Sequence, residues 1–152
     1  MPVVLSMAVS ILPKLPEAVS LQKTSKDQNA KYAIEEVKYV LDQDFAFPSK
    51  GGRRGTLFAV AGPKLVGALN YDIDKKGQCY VHHLGSLVKG VGTALMQKLK
   101  DEVKPYADVI LLNTYGGSEE NFYKKLGFEE VDRSLFKMEL SKLNHTLLQC
   151  TL

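Results

Sequence analysis

Cysteine is scarce in this chain: two residues in 152, Cys79 and Cys150, far apart. Neither stands in a CxxC pair or near histidine at metal-ligand spacing, which speaks against a zinc module and a disulfide scaffold and leaves no metal site to expect. Lone thiols fit a reducing compartment, so the expected location is the cytoplasm, with Cys79 in the core and Cys150 in a tail. Charge of one sign is also lacking. Twenty Lys and Arg against 17 Asp and Glu leave a net +3, too weak and too dispersed for a dedicated nucleic-acid binder. Long apolar runs are missing too. Val3 to Leu12 is apolar, but it is short and closed by Pro13 and Pro16; it reads as an N-terminal strand or arm, with no membrane partner. No basic residue precedes it, so a cleaved secretion signal is not expected.

What is present is the composition of an ordinary globular domain, 45% hydrophobic and 24% charged. The expected limits are an arm over 1–17, a domain over 18–141 and a tail over 142–152. Ala18 to Lys23 reads as a strand. Ala30, Ala33, Ile34, Val37 and Leu41 then follow the i, i+3, i+4, i+7 spacing of a helix buried along one stripe, with Ser25 or Asp27 as its cap. Phe45, Phe47 and Pro48 follow, and the tip Ser49 to Arg54, rich in glycine and charge, is expected as a mobile loop. Its basic residues (Lys50, Arg53, Arg54) read as solvated rather than as a docking site.

Thr56 to Val60 and Leu65 to Ile73 predict a hairpin turning at Ala61-Gly62-Pro63-Lys64, and Gln78 to Leu84 a third antiparallel strand. The period then changes. Val91, Ala94, Leu95, Leu99 and Val103 carry helical spacing up to Pro105, and Val109 to Leu112 is a continuous apolar run. Strand, helix, strand implies a crossover and a parallel neighbour. Ser118 to Leu126 predicts a short helix stopped by Gly127, and Val131 with Leu135 to Leu140 the last strands. Asn144 to Leu152 reads as a tail with an apolar patch at Leu147 and Leu148.

Lys89-Gly90-Val91-Gly92-Thr93 lies between a strand and a helix. Glycines let the backbone turn tightly and approach an anion, toward which the amides and the positive dipole end of the following helix point. Leu95 breaks the GxGxxG pattern of dinucleotide folds, and no GK[ST] of a Walker loop exists. Downstream comes Asn121-Phe122-Tyr123-Lys124-Lys125-Leu126-Gly127-Phe128.

The pair "HHLGSLVKGVGTALMQKL" and "ENFYKKLGFEE", in this order, resembles the GCN5-related N-acetyltransferase (GNAT) superfamily over about residues 55–140. The resemblance implies an α/β fold with a mixed, mostly antiparallel sheet, splayed near the third meander strand and flanked by helices on both faces. It implies acetyl-CoA as cosubstrate and an amine as acceptor, small or macromolecular, attacked directly. Backbone groups of Leu84, Gly85 and Ser86 would pair with the pantetheine arm. Lys89, Gly90, Val91, Gly92 and Thr93 would hold the pyrophosphate. Asn121 or Asn113 would touch the cofactor, and Tyr123 would protonate the departing thiolate. An acceptor slot is expected from Phe45 to Arg54, with Phe45, Phe47 and Tyr115 as candidate lining or as core. Departures are Leu87, where the family usually has Gln or Arg, a shorter link from Leu84 to Gly90, and Gly116 in place of an asparagine.

The attacking amine must first lose a proton, and histidine is the residue best matched to that task near neutral pH. His82 and His83 are the candidates; strand alternation places them on opposite faces, with His82 beside Tyr80 and Leu84. His82 is the preferred base and Asp72 a weaker one. Tyr123 is expected to turn toward the cleft, away from a buried Phe122–Leu126 pair. A catalytically weak acyl-CoA-binding or interaction module of the same fold is the alternative function. A monomer and a homodimer are both compatible with the sequence.

Overall fold

The computed structural model describes residues 8–21, 29–42, 53–114, 118–130 and 146–152. Its centre is the expected antiparallel meander: β3 (Arg53–Ala61), β4 (Lys64–Ile73) and β5 (Gln78–Ser86). The first turn is held to Gly62 and Pro63 because Gly62 adopts φ 58°. The second is built by Asp74, whose Oδ1 accepts the amides of Lys76 at 2.9 Å and Gln78 at 3.0 Å. Ahead of the meander, β1 (Ser10–Leu12) pairs antiparallel with β3 and β2 (Ser20–Leu21) runs parallel to the start of β4. After it, α2 (Val91–Val103) makes the crossover, and β6 (Val109–Thr114) returns parallel to β5.

Arg53 and Arg54, expected in a mobile loop, are the first residues of β3, and the Arg53 guanidinium lies 3.8 Å from the centre of the Tyr106 ring. The larger correction concerns the C-terminus. Residues expected as a tail form β8 (Thr146–Thr151), which pairs antiparallel with β6 on one side and with β7 (Glu129–Glu130) on the other. The main sheet order is therefore β1-β3-β4-β5-β6-β8-β7. Leu148 of the supposed apolar patch is fully buried and Cys150 is core. The Ser25 or Asp27 cap, Phe45, Phe47, Lys50, Tyr115, Gly116, Val131 and the run 135–140 lie outside the described residues.

Each face of the sheet has its own core. On one, α1 (Asn29–Asp42) lays Val37 and Val40 over Phe58, Val60, Leu65 and Ala68. The stripe turns through Val40 rather than the expected Leu41, which is left exposed. On the other, Val91, Leu95, Met96, Leu99 and Val103 of α2 pack on Leu57, Leu69, Cys79, Val81 and Ile110. Burying each such aliphatic side chain contributes about 1.5–3 kcal/mol. The helix α3 (Ser118–Lys125) joins this second core through Tyr123. Lys100 of α2 ties the end of α3 down, donating to the Leu126 carbonyl at 2.7 Å.

Strand β5 carries a bulge. Its register against β4 runs Asn70↔His83 and then Tyr71↔Val81, leaving His82 as the extra residue. The bulge exchanges the faces. Cys79 and Val81 belong to the α2 core, whereas His83 bonds Glu36 of α1, and a methyl on Gly85 would strike the α1 backbone. Strict alternation would put all four on one face. The same exchange puts Leu84 in contact with the α2 core, so Tyr80 and Leu84 do not share a face as expected.

Candidate active site

Strands β5 and β6 pair at only three positions, Gln78↔Val109, Cys79↔Ile110 and Tyr80↔Leu111, and then part. Beyond Tyr80 the edge of β5 faces a gap. Which backbone groups look into it follows from one bond. The Leu87 N–H donates to the Val66 carbonyl at 2.8 Å across the Gly67↔Ser86 pair. That makes Ser86 a non-hydrogen-bonded partner of β4, and alternation turns the N–H and C=O of Ser86 and of Leu84 toward the gap. Gly85 is turned the other way. Its missing side chain serves α1: a Cβ there would lie 2.4 Å from the Ala33 carbonyl oxygen and 2.6 Å from Val37 Cγ2. So Gly85, grouped from sequence with the cofactor-binding residues, is a packing residue.

The gap leads into the glycine loop. Gly90 holds φ 91°, ψ −18° at the N-cap of α2, a left-handed conformation open to glycine at little cost. The Val91 amide bonds the Val88 carbonyl at 3.1 Å, and the Ala94 amide bonds the Gly90 carbonyl at 3.1 Å. The Gly92 amide donates to Ser86 Oγ at 3.1 Å. Among the described residues, the amides of Lys89, Gly90 and Thr93 meet no protein acceptor. Unpaired amides at the positive end of a 13-residue helix, with the exposed Lys89 beside them, are the donors and charge that an anion would need.

On the α3 side, Phe122 closes against this seat: a methyl on Gly92 would lie 3.2 Å from Phe122 Cζ. Tyr123 is 5% exposed, its ring set edge-on to Phe122 at 5.0 Å and to Phe128 at 5.6 Å. The expected arrangement is reversed. Tyr123 is the buried residue, while Phe122 and Leu126 are half-buried. The helix turns Tyr123 inward because Gly127, at φ 98°, brings Phe128 back under it. Asn121 is exposed on α3, and Asn113 is exposed on β6, two residues past its last pairing with β5.

The two histidines sit at the bulge, where the strands separate. His83 Nδ1 lies 2.8 Å from Glu36 Oε2, and its ring stacks on Tyr39 at 5.2 Å. Its amide donates to Oδ1 of the buried Asn70 side chain at 2.8 Å, beside the bulge. Asn70 was not singled out from sequence; an asparagine amid strand-forming residues was the available signal. His82 is exposed, and its pKa is lowered, chiefly by protein crowding one part of the ring, against an opposing pull from Asp72 and with a smaller push from His83. That keeps the imidazole neutral at pH 7, the form that accepts a proton. The Cys79 thiol is pushed up to about 12 by burial and by Asp72, so it carries no thiolate to act as a nucleophile.

No protein-family model matches the sequence, and no curated protein matches it. Solved structures do. A GNAT-family acetyltransferase of Staphylococcus aureus Mu50 superimposes with TM-score 0.60 at 19% identity, over 95% of this chain and 99% of its own. A GNAT-family acetyltransferase of Elizabethkingia anophelis with acetyl-CoA bound gives 0.61 at 16% identity, over 95% and 98%. A provisional streptothricin acetyltransferase of Bacillus anthracis, in complex with acetyl coenzyme A, gives 0.54 at 17% identity; 70% of this chain covers 65% of it. The chain thus has the mixed, splayed fold of GNAT-family acetyltransferases.

Proposed function

We propose that this chain is an N-acetyltransferase that moves an acetyl group from acetyl-CoA to an amine by direct attack. The observation that carries the reading is the continuity of two features. A strand edge, with Leu84 and Ser86 backbone groups turned into the gap, runs directly into a loop whose Lys89, Gly90 and Thr93 amides are unpaired. An extended amide-bearing arm joined to a diphosphate matches that sequence of hydrogen-bonding needs. Three of the structures sharing the fold hold acetyl-CoA or coenzyme A.

In this reading Leu84 and Ser86 align the pantetheine arm, and Lys89, Gly90 and Thr93 hold the diphosphate, with Val91 and Gly92 forming the helix start behind them. Asn113 and Asn121 are the polar side chains nearest in sequence to the gap's far wall and add contacts to the arm. His82, neutral and at the mouth of the gap, takes the proton that frees the amine's lone pair. The amine attacks the thioester carbonyl, the C–S bond breaks, and Tyr123 gives its phenolic proton to the departing thiolate. Packing of the Tyr123 ring edge-on to Phe122 and Phe128 limits how that ring can turn. Glu36, Asp72 and Tyr39 on the α1 side offer carboxylates and an aromatic face to a cationic acceptor.

The test is thiol release. Acetyl-CoA, a panel of amines and a thiol-reactive dye report turnover without background from the protein, because Cys79 and Cys150 are both buried. Calorimetry with CoA runs beside it. Amine-dependent thiol release supports the enzyme. CoA binding with no release for any amine class favours a binding module of the same fold, and absence of CoA binding refutes both.

A further inference from the structure

Between the end of β5 at Ser86 and the start of α2 at Val91 the chain has only Leu87, Val88, Lys89 and Gly90 in which to turn and present its amides. A link this short has few bonds to hold it. Leu87 N–H is spent on the Val66 carbonyl, back in the sheet, and Val91 N–H closes a tight turn on the Val88 carbonyl. Ala94 N–H bonds the Gly90 carbonyl as the helix begins, and the two remaining ties come from one side chain. Ser86 Oγ donates to the Val88 carbonyl at 2.9 Å and accepts from the Gly92 amide at 3.1 Å. The hydroxyl thus joins the end of the strand, the middle of the link and the first turn of the helix.

The bond to Gly92 has a consequence for the anion seat. Gly92 N–H, one of the helix-start donors that the glycine pattern would assign to a phosphate, is already taken. Satisfying it internally fixes the first turn, so that the donors left outward are Lys89, Gly90 and Thr93. Space at this point is tight: a methyl on Gly92 would lie 3.5 Å from Ser86 Cβ and 3.2 Å from Phe122 Cζ. Three elements, β5, α2 and α3, meet there. Ser86 therefore acts in two directions, its backbone facing the gap and its side chain lacing the loop.

We infer that Ser86 is a positioning residue for the diphosphate. Its hydroxyl holds the four-residue link in the one shape that presents the Lys89, Gly90 and Thr93 amides, and the Gly92 amide is not a ligand of the anion. The inference rests on the proposed acetyl-CoA reading and extends it to how a shortened link still forms a seat.

The experiment compares the full chain with Ser86→Ala and Ser86→Thr. Affinities for CoA and for pantetheine, which lacks the diphosphate, are measured by calorimetry, and amide exchange at Gly92 is followed without ligand. Loss of a helix-start hydroxyl weakens what it holds roughly five- to tenfold. Ser86→Ala is expected to lose that factor for CoA and none for pantetheine, with faster exchange at Gly92 and an unchanged far-ultraviolet spectrum. Ser86→Thr, which keeps the hydroxyl, is expected to restore CoA affinity. Equal CoA affinity in wild type and Ser86→Ala overturns the inference while leaving the enzyme reading intact. So does an equal loss for CoA and pantetheine. Failure of the wild-type chain to bind CoA overturns the functional reading itself.

Discussion

Gly85→Ala tests the packing of the site more sharply than any catalytic substitution. The added methyl would meet the Ala33 carbonyl oxygen at 2.4 Å, Val37 Cγ2 at 2.6 Å and the Val37 amide nitrogen at 3.0 Å. Two of those three atoms are backbone of α1, so no rotamer change relieves the overlap. The helix must move away by about 1 Å, and it carries Val37 and Val40, which seal the smaller core. Overpacking of this kind costs about 1–3 kcal/mol, and a backbone obstacle places it at the upper end. At this chain length each kcal/mol lowers Tm by about 2–4 °C, giving a fall of roughly 6–12 °C. Gly62→Ala supplies the scale. It has open space around it but φ 58°, so only backbone strain of about 1–2 kcal/mol applies. Thermal unfolding followed by circular dichroism, with urea titration as a check, measures both. A Gly85→Ala chain melting within a degree of wild type, or above Gly62→Ala, would refute the claim that α1 rests directly on β5 at this glycine.

Tyr123→Phe keeps the ring packing and removes the hydroxyl; turnover is expected to fall at least about tenfold with CoA affinity within a few-fold, and unchanged kcat would remove its role as proton donor. For His82, the acid limb of kcat/KM against pH should inflect below its ordinary 6.5, because the surrounding protein disfavours the charged ring. Activity is then retained as pH falls through 6.5 and is lost only beneath it. Asp72→Asn removes the opposing pull and should move the limb lower still, so a limb above 6.5 or an upward shift contradicts His82 as base. Cys79, held near 12, should resist alkylation at pH 8 in the folded chain, and mass spectrometry after incubation with acetyl-CoA should find no acetyl-protein adduct.

Much of the fold was legible because each element carries its own period. The 3.6-residue spacing from Val91 to Val103 gave α2, alternation gave the meander, and the apolar run from Val109 gave a strand covered on both faces. The turn at the glycine loop was legible for a similar reason, since Gly90 at φ 91° is a local backbone demand. The errors fall where the partner lies far off in the chain. Leu147 and Leu148 looked like a loose patch because nothing near them in sequence needs them; β6 and β7 do. Helical spacing alone made Phe122 and Leu126 the buried pair, but Phe128, beyond the turn at Gly127, packs on the Tyr123 ring and makes Tyr123 the buried residue.

The amino-acid order by itself determined the meander strands, α2, the crossover between β5 and β6, and the glycine turn that opens α2. Those are short-range matters, decided by side-chain period and by where glycine stands. Only the tertiary structure decided that His82 occupies a bulge and that odd-numbered residues of β5 change face across it. It alone also decided that β5 and β6 part after Tyr80 and that β8 fills the place between β6 and β7. Register and strand insertion depend on hydrogen bonds to distant neighbours, and a strand's own sequence does not specify which neighbour will supply them.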